Sequence, residues 1–211
     1  MFRLKFFTLI ELLVVVAIIG ILASMILPSL SKARKTAMGG VCISNLKQFA
    51  LAATLYADSN KGKFPDYDSR KWVGKKGTNS FYGDTITQRP LNEYLGLTKD
   101  GMDARALMCP FNHLAPDLFN KVGSSYTANW YLKEKDISSI SKPSITIVGF
   151  GFGAKSFVIG GAKQWWRQTH SPGKARYSFA RVDGSAVHHT VIKGEGYSFR
   201  SKNVNLVLWD Y

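Results

Sequence analysis

The sequence predicts an α+β protein in which a long N-terminal helix, apolar in its first half, packs by its second half against a C-terminal antiparallel sheet. Three observations predict it. Residues 7–27 run for 21 positions with a single charge, Glu11. Cys42, Leu46, Phe49, Ala53 and Tyr56 recur at steps of four and three, which is one apolar face at helical period. Toward the C-terminus, short apolar runs alternate with turn formers, most clearly around Asp183-Gly184.

The apolar run comes first. As a helix, 21 residues span about 32 Å, against a hydrocarbon core of about 30 Å. A secretory signal has a shorter apolar region followed by small residues, whereas this run is longer and Ser24-Met25-Ile26 is a poor cleavage site. A buried soluble helix would need an apolar shell that the rest of the chain does not supply. A plain membrane anchor fits the length but not Glu11. A charged side chain at the centre of such a run costs about 2.5–3.5 kcal/mol on insertion scales, so a carboxylate inside it should have a purpose. Arg3 and Lys5 precede the run, and Lys32, Arg34 and Lys35 follow it. On the positive-inside count alone, the later end is the more cytoplasmic.

Phe7-Thr8-Leu9-Ile10-Glu11 and the run to Leu22 resemble the class III signal of type IV prepilins and type II secretion pseudopilins. The resemblance implies a leader of residues 1–6, cut by a prepilin peptidase between Phe6 and Phe7, with methylation of the new N-terminus. Phe6 stands where the family usually has Gly. Residues 7–27 would then be a transmembrane and assembly helix. Glu11, fifth in the mature chain, would pair with the terminal amine of a neighbouring subunit, and Thr8 would add a hydrogen bond. Gly20 and Pro28 fall where pilins often carry Gly and Pro, a stretch that loses helical bonding in assembled fibres. The implied partners are like subunits in a helical filament, the peptidase, a polytopic platform protein and a cytoplasmic ATPase. The implied location is the inner membrane, single-pass, with a cytoplasmic N-terminus and a periplasmic head, or an extracellular filament.

Residues 28–57 read as the amphipathic stem. Gly39-Gly40 either bend it or let a neighbour come close, and Asp58-Ser59-Asn60-Lys61-Gly62 ends it with turn formers. Cys42 and Cys109 are the two cysteines, and no four-ligand zinc cluster accompanies them. In an oxidising compartment they are a candidate disulfide, worth about 4 kcal/mol in the chain-entropy account. Two buried thiols are the alternative. Residues 42–48 and 56–65, with echoes at 107–110, 125–129 and 142–144, look like a prepilin-like subfamily with a C-terminal His-x9-Asp-Gly motif. His170 and Asp183-Gly184 are its counterpart here, with twelve residues between them instead of nine. The plainer reading is that Asp-Gly makes a turn.

Residues 58–211 form the predicted α+β head. Strand candidates are 144–151, 156–159, 175–182, 185–192 and 204–209, with a short helix near 91–95 and an irregular stretch over 67–124. The chain carries 28 Lys and Arg against 14 Asp and Glu, a net charge of +14. From Asp58 onward the counts are 22 and 13, so the head is basic and attracts anionic surfaces. Trp165, Trp166 and Arg167, with Lys174 and Arg176, suggest a second function: a membrane-anchored module that binds DNA or an acidic polysaccharide. As strand residues, the same tryptophans would be core. Calcium is a candidate ligand at Asp66 and Asp68, or at Asp100 and Asp103, although neither pair has EF-hand spacing and solvated turns explain both. No G-x-S-x-G or H-E-x-x-H occurs, and adjacent His188 and His189 face opposite sides of a strand. The expectation is a structural subunit of a secretion pseudopilus or type IV pilus, not an enzyme.

Overall fold

The computed structural model describes residues 8–67, 71–75, 88–98, 105–110, 119, 123–151, 175–191, 195–198 and 207–210. The chain divides into two compact units, Met1–Ala37 and Met38–Tyr211.

One helix, α1 (Leu9–Ser59), belongs to both. It begins at a capping box. Thr8 Oγ1 accepts from the Glu11 N–H at 3.2 Å, and the Glu11 carboxylate accepts from the Thr8 N–H and hydroxyl, both at 2.8 Å. Pro28 lies inside α1 without ending it. Proline removes one backbone donor, and nearby Ser24 and Ser29 donate their hydroxyls to the carbonyls of Ile21 and Ile26. The turn formers act two residues later than expected. Asp58 and Ser59 are still helical. Lys61 and Gly62 then turn left-handed (φ 56° and 77°), and the Gly62 N–H returns to the Ala57 carbonyl at 2.8 Å, the six-to-one bond of a Schellman stop.

In the first unit the apolar side chains of residues 9–27 are exposed, and α1 is long and apolar enough there to cross a membrane. In the second unit α1 buries Cys42, Leu46, Phe49 and Ala53, the predicted stripe, while Tyr56 is half-buried against the edge of Tyr94. Ala50, Ala52 and Ala57 are also buried.

The main sheet has four antiparallel strands: β1 (Tyr126–Ala128), β2 (Ile147–Gly151), β3 (Ala175–Arg181) and β4 (Ala186–Val191), in spatial order 1-2-3-4. β1 lies just past the stretch expected to be irregular. β2 starts at Ile147, three residues later than expected, because residues 143–145 form a turn. Val148 is bulged opposite the Arg181–Ala180 step, and both its neighbours stay in register. β5 (Glu195–Ser198) and β6 (Val207–Asp210) pair as a separate two-stranded sheet. Of the predicted strand at 204–209, residues 207–209 lie in this ribbon, and residues 204–206 and 156–159 lie outside those described. Near 91–95 the chain makes a single 3₁₀ turn, Glu93–Leu95, which ends on left-handed Gly96. The core gathers Leu46, Phe49, Trp72, Leu91, Leu107, Tyr126, Leu132 and Val148, so the α+β layout holds for the described residues.

Candidate functional site

Two regions combine chemistry with position: the start of α1, and the seam between α1 and the sheet within the second unit.

At the start of α1, Glu11 is an exposed carboxylate whose two bonds from Thr8 both end on Oε2. Thr8 therefore gives both its N–H and its hydroxyl to Glu11 of its own chain. Gly20 has open space around its Cα, so no neighbour within the described residues explains the absence of a side chain there. Phe6 and Phe7, the expected cleavage and methylation positions, lie outside the described residues.

The seam is stitched at four heights. At Gly39, the backbone carbonyl lies 3.0 Å from His188 Nε2, and His188 Nδ1 lies 2.7 Å from Ser178 Oγ. The neutral tautomer with its proton on Nε2 satisfies all three groups, with Nδ1 accepting the Ser178 hydroxyl. Gly39 permits this approach, since an added Cβ would lie 3.0 Å from His188 Nε2. The closeness allowed by Gly39-Gly40 is thus found at Gly39, and the helix continues through both. One turn on, Cys42 and Cys109 form a disulfide with their Cα atoms 5.3 Å apart. It joins α1 to the segment after the 3₁₀ turn Arg105–Leu107. Next, Asn45 donates to the Met108 carbonyl at 3.0 Å and to the Tyr126 hydroxyl at 3.3 Å. Burial raises the pKa of that phenol above its ordinary value, and the bond to Asn45 opposes the shift in part. Finally, Phe49 covers Gly149 of β2.

Asp183 and Gly184 act as a turn. They join β3 to β4: Gly184 is left-handed (φ 84°), its N–H donates to the Arg181 carbonyl at 3.0 Å, and Asp183 accepts from the Ser185 N–H at 2.9 Å. Burial pushes the Asp183 carboxyl up, but the bonds from Ser185 and the Arg181 charge outweigh it, and the pKa sits below its ordinary value. His170 lies outside the described residues. So do Trp165, Trp166, Arg167 and Lys174. Arg176 is on β3 opposite Thr190.

Of the calcium candidates, Asp68, Asp100 and Asp103 also lie outside the described residues. Asp66 is bonded to Glu134 and to the Lys133 ammonium at 2.9 Å, and both contacts lower its pKa. The same Asp66 contact raises that of Glu134. Among the described residues, no three His, Cys, Asp or Glu side chains converge to hold a metal ion.

Three features carried no motif in the sequence. Arg89 is buried and donates to the Val73 carbonyl at 2.6 Å; burial lowers its pKa to about 10. Asn92 is buried beside it and bonds both the N–H and the carbonyl of Gly74, at 3.2 and 2.7 Å. Asp136 caps the 3₁₀ turn Ile137–Ser139, accepting from the Ser138 N–H at 2.8 Å and hydroxyl at 2.6 Å. A short polar residue before a turn is the signal that could have found Asp136.

No protein-family model matches the chain, and neither does any curated protein or solved structure.

Proposed function

We propose that this chain is a membrane-anchored subunit of a pilin-like filament, either a secretion pseudopilus or a type IV pilus. One observation carries the reading. The first half of α1 exposes Leu9, Ile10, Leu12, Leu13, Ile18 and Ile19 around a single carboxylate, Glu11, held at the first turn. Such a helix needs lipid or other helices around it, and the carboxylate needs a cation once water is gone. Both bonds from Thr8 end on Oε2, and in this reading a neighbour's terminal amine bonds to Oε1. That pairing would set the axial register between subunits, while apolar packing of the helices supplies the cohesion.

The pair with nucleophile-and-base geometry, Ser178 and His188, serves as a clamp in this reading. Ser178 is 5% exposed, and the second ring nitrogen of His188 is taken by Gly39. We assign the chain no catalysis.

The test is the intact mass of the protein extracted from its native membranes. Loss of residues 1–6 with one added methyl is the expected result. An unprocessed mass, from cells with an active prepilin peptidase, overturns the reading.

A further inference from the structure

Between Glu11 and Asp58, α1 carries four cations and no acid. Three of the cations, Lys32, Arg34 and Lys35, stand together, and all are exposed. Four residues away along the helix they find Pro28 and Thr36, Leu30 and Met38, and Ser31 and Gly39, none of them acidic. Their counter-charge has to come from outside the helix.

Their height above the apolar run says what supplies it. Taking Leu27 as the edge of the hydrocarbon, the Cα atoms of Lys32 and Lys35 lie about 7.5 and about 12 Å beyond it at about 1.5 Å per residue. A headgroup layer is about 5–8 Å deep on each side of the core. Helical Cα–Cβ bonds tilt toward the helix N-terminus, which here is toward the apolar run. The long stems of Lys and Arg carry the charge further the same way. The three charged ends therefore arrive at the level of the lipid phosphates. At about 100° per residue they fan across about 160° of the helix circumference. That spread suits a layer surrounding the helix better than one acidic face of a protein partner.

We propose that Lys32, Arg34 and Lys35 form a basic collar that binds the phosphates of anionic phospholipids in the leaflet at the Leu27 end of the apolar run. The proposal rests on reading residues 9–27 as a membrane span. Each cation at an anionic surface contributes about a fivefold preference.

The experiment uses the full chain in mixed micelles of phosphatidylglycerol and phosphatidylcholine, with native mass spectrometry counting the lipids retained. Wild type is expected to retain the anionic lipid over the zwitterionic one, and the combined variant K32Q/R34Q/K35Q to lose most of that preference, about fivefold per charge. Lys47→Gln removes the same charge from a position outside the cluster, in the second unit, and should leave retention unchanged. Equal retention of the two lipids by wild type overturns the proposal, as does an unchanged preference in the triple variant. A triple variant that keeps its lipids but loses self-association assigns the collar to a protein partner instead, and overturns it too. Extraction of wild-type membranes with alkaline carbonate separates the two readings: release of the protein removes the membrane span itself, whereas retention without lipid preference removes only the collar.

Discussion

Two glycines in the second unit make opposite predictions. At Gly149 a Cβ would sit 2.5 Å from Phe49 Cε1 and 2.6 Å from Cδ1. Gly149→Ala should cost about 1–3 kcal/mol through overpacking. Pairing it with Phe49→Leu should recover part of the loss, as measured by denaturant midpoints of the full chain in detergent. At Gly39 the added Cβ meets only the end of the His188 ring, at 3.0 Å, and alanine in a helix interior gains about 0.5–1 kcal/mol over glycine. Gly39→Ala should therefore change stability much less than Gly149→Ala. An equal loss at both positions would mean that the His188 clamp cannot give.

Acid sensitivity also belongs to single residues. The bonds from the Ser138 hydroxyl and N–H, with help from Lys63, hold the Asp136 carboxyl below its ordinary value of 3.8. A carboxylate with a depressed folded pKa contributes stability that is present above its unfolded value and lost as pH falls through the folded one. Wild type should lose this contribution below about pH 4. Asp136→Ala should be less stable at neutral pH and show a shallower decline on the acid side. Identical acid limbs for the two proteins would show that the cap contributes nothing through its charge.

At the scale of elements, the disulfide decides how firmly α1 holds the segment after Arg105–Leu107. The bonded cysteines are 67 positions apart in sequence. Closing that loop restricts the unfolded chain, and replacing both cysteines by serine should lower stability by about 2–4 kcal/mol. Reductant should reproduce the loss in wild type and have no effect in the double variant. Asn45 grips Met108 and Tyr126 independently of the sulfurs, so the segment has a second tie when the disulfide is absent.

At the scale of the whole molecule, Glu11 is the group whose value depends on neighbours. Inside its own chain it completes a capping box, and losing a cap costs about 1 kcal/mol at one helix end. In a filament it would neutralise a terminal amine. Glu11→Ala should leave the stability of residues 38–211 unchanged while abolishing incorporation into filaments, scored by shearing and immunoblotting. Normal incorporation of the variant would remove Glu11 from assembly.

Some features were legible because they are local. The apolar run, the stripe from Cys42 to Ala53 and the Asp183-Gly184 hairpin each depend on residues within a few positions of one another, where side-chain period and turn chemistry are written directly. Thr8 and Glu11 are also three apart, the spacing of a capping box, but their resemblance to a family signal directed both toward a neighbouring subunit and not toward each other. Others depended on pairs far apart in the chain. Which of two states Cys42 and Cys109 take, the hold of Asn45 on Met108, the use of His188 against Gly39, and the separation of β5 and β6 from the four-stranded sheet join residues that sequence period cannot relate. The sequence by itself determined an apolar membrane-length helix, an amphipathic continuation and a hairpin, because helix and turn preferences act over short range. Only the tertiary structure decided that a glycine, a cysteine, an asparagine and a phenylalanine on one face of α1 each meet a particular partner. Those contacts exist only after the chain has closed loops of tens of residues, and it is burial in the packed core that selects them.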